Sequence, residues 1–244
     1  MKKNLIVPLA LVAFLCVTTA CVTSKTAEEY ANRADAYMAK ENYDRAIAYY
    51  TKAIRIAPSA NDYFSRGLAY YIKGDYDRAI ADYTQRIRID PNFAYAYLMR
   101  ARAYHDNGDY DQAIADFTQL IRIDPDFYVY YDVRARAYHD KGDYDSAIAD
   151  YTQAIRIYPS ASGVYNDRGA TYNDKGDYDR AIADFDQAIQ LYSDYAEPYR
   201  HRAFAYMKKG NYRQARADVN KALQIDPSYQ SAQELSAELQ RLGY

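Results

Sequence analysis

From Ala60 to Pro91 the apolar and aromatic positions fall on two helical faces, joined by a short polar turn. Tyr63, Gly67, Tyr70 and Tyr71 keep the i, i+4, i+7 spacing of one face, and Tyr76, Ala79, Ile80, Tyr83, Ile87 and Ile89 keep that of a second. Lys73-Gly74-Asp75 lies between them: glycine takes a left-handed C′ position without steric strain, and Asp75 is placed to cap the second helix. Asp90-Pro91 closes the unit, because the residue before proline is pushed out of the helical region. The pattern therefore predicts two antiparallel helices and then a stop.

The same pattern recurs along most of the chain. The alanine of the DRAI-type step stands at Ala46, Ala79, Ala113, Ala147, Ala181 and Ala215, at intervals of 33 or 34 residues. A fixed period of this length marks a solenoid whose units cannot bury their apolar faces alone, so one elongated domain with a continuous core is expected.

The framework of tyrosine, glycine, alanine and proline in Tyr63, Gly67, Tyr70, Gly74, Ala79, Tyr83 and Pro91 resembles the tetratricopeptide repeat. The resemblance implies an all-α fold, a right-handed superhelix of helix-turn-helix units. Six repeats are read at 27–59, 60–93, 94–127, 128–161, 162–195 and 196–229, with a cap helix at 230–242 that sets Leu235, Leu239 and Leu242 on one face. Some positions depart from the framework. Glu41 stands at the turn glycine of the first repeat, Arg86 and Leu120 replace a small residue of the second helix, and Ser193 stands where a proline closes other units.

The N-terminus carries a different signal. Lys2 and Lys3, an apolar run from Leu5 to Val17 and the small residues Thr18, Thr19 and Ala20 read as a secretory leader over residues 1–20. As a helix the run reaches only about 20 Å, short of the roughly 30 Å hydrocarbon core of a bilayer. Thr18-Thr19-Ala20-Cys21 resembles the lipobox of bacterial lipoproteins, which implies export, lipidation of Cys21 and a tether over 21–26. Cys16 leaves with the leader, so no internal disulfide is expected.

Charge narrows the partner. Without Lys2 and Lys3 the chain carries 29 basic against 33 acidic residues, a net of −4, and so lacks the excess of basic residues that phosphate binding needs. No nucleophile elbow, phosphate loop or zinc-protease motif appears, so no catalytic residue, cofactor or metal is assigned and the chain is not read as an enzyme. His105 and His139 occupy equivalent positions in neighbouring repeats, about 10 Å apart if the helices pack side by side, too far for one zinc ion.

Tyrosine is abundant, 31 residues with no tryptophan, but 21 of these tyrosines fall on framework positions and are read as structural. Arg66, Arg100, Arg134, Arg168 and Arg202 face Asp82, Asp116, Asp150, Asp184 and Asp218 across the hairpins, which predicts an Arg to Asp bridge inside repeats two to six.

In arrays of this family the first helices line a concave groove. The resemblance therefore implies a ligand face made of Phe64, Leu68 and Tyr71, then Tyr95, Leu98, Arg102 and His105, then Asp132, Arg136 and His139, and finally Asn166, Arg200, Phe204 and Met207. The expected function is a noncatalytic scaffold, exported and lipid-anchored in the cell envelope, that docks a protein or peptide in this groove. A surface adhesin for host components and a homo-oligomeric structural element are the alternatives, and the oligomeric state stays open.

Overall fold

The structure is a computed structural model that describes residues 25–244. The leader, Cys21 and the first part of the tether lie outside the described residues. Thirteen helices follow one another, with no strand among the described residues. They are α1 over 25–38, α2 Tyr43–Ile56, α3 Ala60–Ile72, α4 Tyr76–Ile89, α5 Ala94–Asp106, α6 Tyr110–Ile123 and α7 Tyr128–Lys141. Then come α8 Tyr144–Ile157, α9 Ser162–Lys175, α10 Tyr178–Leu191, α11 Ala196–Lys208, α12 Tyr212–Ile225 and α13 Gln230–Arg241. Lys25 and Thr26, expected at the end of the tether, are already helical. No described helix is long and apolar enough to cross a membrane.

Local chemistry sets the ends of these helices. Gly74, Gly108, Gly142, Gly176 and Gly210 hold φ between 76° and 86°, the left-handed turn that reverses the chain between paired helices. Glu41 takes the same role with φ 56°, at a cost of about 1–2 kcal/mol that glycine avoids. The side chains of Asn42, Asp75, Asp143 and Asp177 accept the N–H groups of Arg45, Arg78, Ser146 and Arg180, capping the second helix of four pairs.

The chain groups into two compact units, one up to Gln112 and one from Ala113 to Tyr244. In the first, α3 packs on α2 and α4, and α4 on α5. Its core gathers Tyr70, Ala79, Tyr83, Met99 and Ala103, and a smaller cluster joins Ala34, Ala46 and Tyr50. Arg86, at a position where a small residue was expected, is accommodated as a buried side chain: its guanidinium lies 3.9 Å from the centroid of the Phe93 ring and reaches Asp90 at 3.3 Å.

In the second unit each helix from α7 to α13 packs on the next, and α7, α9 and α11 also touch in sequence. Alanines make the close contacts, and Tyr151, Phe185 and Val219 fill the centres of successive pairs. Gly169 lets α9 approach α10 so closely that a Cβ there would stand 2.6 Å from the Phe185 ring. The cap helix buries Leu235 and Leu239, but Leu242 is half exposed, which corrects the expected three-leucine face. The reason is local: α13 stops at Arg241, and Gly243 turns left-handed with φ 86°.

The predicted Arg to Asp bridges form in four repeats. Arg66 Nε and Nη2 grip both oxygens of Asp82 at 2.8 and 2.7 Å, and Arg134 with Asp150, Arg168 with Asp184 and Arg202 with Asp218 repeat that fork. Arg100 and Asp116 have one member in each unit. Each arginine also reaches back one repeat, a link the sequence reading missed. Nη1 of Arg66, Arg100, Arg134 and Arg168 donates to Thr51, Thr84, Thr118 and Thr152 at 2.9–3.0 Å, and Arg202 meets Asp186 instead. One guanidinium thus closes its own hairpin and fastens it to the one before. Burial pushes Asp82, Asp184 and Asp218 above the usual carboxylate range even though the arginine opposes it.

The framework tyrosines are graded in depth. Tyr50, Tyr83 and Tyr151, in the second helices, are sealed, whereas Tyr63, Tyr97, Tyr131 and Tyr165 are half-buried and lie under the guanidinium groups of Arg66, Arg100, Arg134 and Arg168.

Candidate functional site

In the first unit the expected groove residues form an aromatic shelf with a polar end. Phe64 meets Tyr83, Phe93 and Tyr95 with ring centroids 5.3–5.6 Å apart, and Tyr95 is 50% exposed. Leu68 and Tyr71 are half-buried against the Tyr70–Tyr83 core. The Tyr71 hydroxyl donates to Asp106 at 2.5 Å, and burial together with that carboxylate pushes its pKa up to about 12. Leu98 is half-buried and Arg102 exposed. His105 Nδ1 stands 3.3 Å from Asp106, with the His105 ring edge-on to Tyr110.

The second unit is richer in charge. Arg136 on α7 donates to Asp132 one turn back at 2.9 Å and to Asp167 on α9 at 3.1 Å. Asn166 gives its amide N–H to Asp167 at 3.2 Å, and its carbonyl oxygen faces His201 Nδ1 on α11 at 3.0 Å. Asn173 in turn donates to the His201 backbone carbonyl at 3.1 Å. Three successive first helices are thereby linked through polar side chains, in a wall that also carries buried carbon.

Burial decides the ionisation of this wall. Asp132 is 7% exposed, and burial raises its pKa to about 6 against the pull of Arg136. Asp167 is raised by the same cause. Burial and then the nearby Arg200 lower His201 to about 4, so its imidazole is neutral at pH 7; Nδ1 carries the proton because it faces an amide oxygen. His139 behaves in the opposite way. Burial presses it down, but Asp174 at 2.8 Å and Asp140 at 3.1 Å outweigh that and hold it above its ordinary value.

Between these helices lies a pocket of about 460 Å³ lined by His139, Ala170, Asn173, Asp174, Arg200, His201 and Phe204. The amide orientation of Asn173 is fixed by its bond to the His201 carbonyl, which leaves its buried Oδ1 with no hydrogen-bond partner among the described residues. A buried acceptor left unpaired costs about 1–3 kcal/mol, which a donor entering the pocket recovers. A smaller hollow of about 280 Å³ on the far side of Arg200 and Phe204 is lined by α13 residues including Ser231, Glu234 and Glu238.

The expected site residues thus divide. His139, Arg200 and Phe204 meet in one pocket, and Asp132, Arg136 and Asn166 belong to the polar network behind it. Met207 leaves the candidate face: it is 9% exposed and packs with Ala203, Val219, Leu235 and Leu239, because the cap helix covers that position. Asp167 and His201 were missed. Both follow an expected groove position by one residue, where the third repeat has buried Met99, and a polar side chain at such a packing position was the signal available. No group of three or more metal-ligating side chains occurs among the described residues.

Tetratricopeptide repeat models match residues 31–92, 64–126 and 196–229, and a TPR repeat model matches 135–174 and 169–210. The chain belongs to the tetratricopeptide repeat family. Among solved structures, this array is similar to MamA, with 25% identity and a TM-score of 0.61 over 66% of this chain and 94% of that one. TTC0263, a thermophilic TPR protein of Thermus thermophilus, shares 24% identity with a TM-score of 0.57, over 74% of this chain and 98% of that one. YrrB shares 19% with a TM-score of 0.58, over 76% and 96%. No curated protein sequence matches the chain.

Proposed function

We propose that this tetratricopeptide array is a noncatalytic scaffold whose first-helix wall holds a segment of a partner protein, and that it works in the cell envelope, exported and held to a membrane by lipid on Cys21. The observation that carries the docking reading is the pocket between α7, α9 and α11, with a neutral imidazole, a guanidinium, an aromatic ring and an unpaired buried acceptor facing one space. Such a mixture suits a peptide, which brings N–H donors and side chains together. Its histidines are placed for holding: His139 is tied to two carboxylates, and His201 is locked through Nδ1 and its own backbone carbonyl. The structure of YrrB is described as that of a TPR protein with an unusual peptide-binding site; at 19% identity it supports the fold and leaves the site to be argued from this chain's residues. Export and anchoring rest on the pattern of residues 1–21.

The test is cross-linked capture from envelope fractions with the wild type and an Arg200→Glu, Phe204→Ala double variant matched in helix content and melting. A partner held by the wild type and lost by the variant is the expected result. Equal capture by both places recognition away from this pocket and overturns the reading.

A further inference from the structure

The polar wall of the second unit is short of one positive charge. Arg136 is the single guanidinium shared by Asp132 and Asp167, at 2.9 and 3.1 Å, and it contacts only one oxygen of each carboxylate. Asp132 Oδ1 is buried and has no hydrogen-bond partner among the described residues. Glu197, at the start of α11, adds a further negative charge that is felt at Asp167, and its own carboxylate accepts the Tyr195 hydroxyl at 2.5 Å. Arg200 does not repair the deficit, because its Nε turns to Ser231 Oγ on the cap helix at 3.4 Å. Two carboxylates, Asp132 buried and Asp167 half-buried, share one cation, which leaves a charge that water reaches only in part, and among the described residues no second cation pairs with either.

A second observation points the same way. The pocket beside this cluster presents an acceptor: Asn173 Oδ1 is buried and has no hydrogen-bond partner among the described residues. Asn166 and His201 connect the two places side chain to side chain. The charge cluster and the pocket both await hydrogen-bond donors, and one of them awaits a cation.

We propose that the segment held by this wall is basic, with a lysine or arginine side chain of the partner seated on Asp167 and Glu197 while Arg136 turns wholly onto both oxygens of Asp132. This rests on the docking function proposed above and names the chemistry of its ligand. The exposures allow the exchange: the Asp167 side chain is 27% exposed and that of Arg136 53%, whereas that of Asp132 is 10% exposed and already pairs with Arg136. Arrival of the ligand cation frees Arg136 from Asp167, converts its single bond to Asp132 into a fork, and gives Oδ1 its missing donor. Another N–H of the same segment then meets Asn173 Oδ1.

The test selects peptides from a phage-displayed library of random 12-residue sequences on the immobilised full chain. It then measures synthetic versions of the enriched peptides against wild type and an Asp167→Asn, Glu197→Gln variant of unchanged melting. The expected result is enrichment of lysine or arginine, with affinity falling about tenfold or more when that residue is changed to glutamine, and a similar fall for the variant with the unaltered peptide. Enriched peptides that are neutral or acidic, or basic peptides that bind both proteins equally, overturn this inference and leave the docking function standing. Enrichment of no sequence on the wild type overturns the docking function and this inference together.

Discussion

Asp150→Asn lowers the stability of the array by about 3 kcal/mol or more, read from the urea midpoint followed by far-ultraviolet circular dichroism. The magnitude follows from burial. An exposed Arg to Asp pair contributes about 0–1 kcal/mol, but here the side chains of Arg134 and Asp150 are only 17% and 10% exposed. Arg134 holds both Asp150 oxygens and extends Nη1 to Thr118 in the preceding repeat. Asparagine keeps the shape, removes the countercharge and turns an N–H donor toward the guanidinium, leaving the arginine uncompensated among packed helices. Replacing both members, Arg134→Met with Asp150→Leu, is expected to restore most of the loss, since no buried charge then remains. A loss below about 1 kcal/mol for Asp150→Asn would show that solvent screens the fork after all.

Phe185→Ala costs about 3–5 kcal/mol, because the ring is fully buried between α9 and α10 and its removal leaves a cavity that the backbone cannot close. Gly169→Ala is a companion to it. The new methyl would sit 2.6 Å from Phe185 Cε1, so overpacking costs about 1–3 kcal/mol in the wild-type background. Combined with Phe185→Leu, which opens space at that contact, Gly169→Ala is expected to cost less than it does alone. Strict additivity of the two changes in chemical denaturation would show that Gly169 is small for some other reason.

The fold was legible because it is written many times over. The turn glycines, the capping aspartates and the alanine period each specify the same hairpin, and even the exception, Glu41, takes the backbone conformation its position demands. Within each hairpin the Arg and Asp pairing could also be read, since both members belong to one repeat. The backward link from the same arginines to Thr51, Thr84, Thr118 and Thr152 could not. It depends on how one hairpin leans on the previous one, which the spacing within a repeat leaves undetermined.

The candidate site was legible in outline for a related reason. The family resemblance implied a face containing Arg136, His139, Arg200 and Phe204, and these side chains border the pocket and its network. It left Asp167 and His201 off that face and placed Met207 on it. For Met207 the fault lies with the cap helix, whose Leu235 and Leu239 cover it, a contact between elements of unlike sequence. Asp167 and His201 stand one residue past that face: both are half-buried, and they bond sideways to Arg136 and Asn166, a link between neighbouring repeats that no single repeat specifies.

The most direct measurement of the docking function is site-specific photo-cross-linking in intact cells that make the full chain. A photoreactive amino acid is placed either at Ala170, which lines the pocket, or at Gln187, exposed on the second helix α10. A cross-linked partner protein obtained from position 170 and absent from position 187 is the predicted result. Adducts from 187 with none from 170, in proteins of equal abundance and melting, would contradict it and move recognition to the second helices.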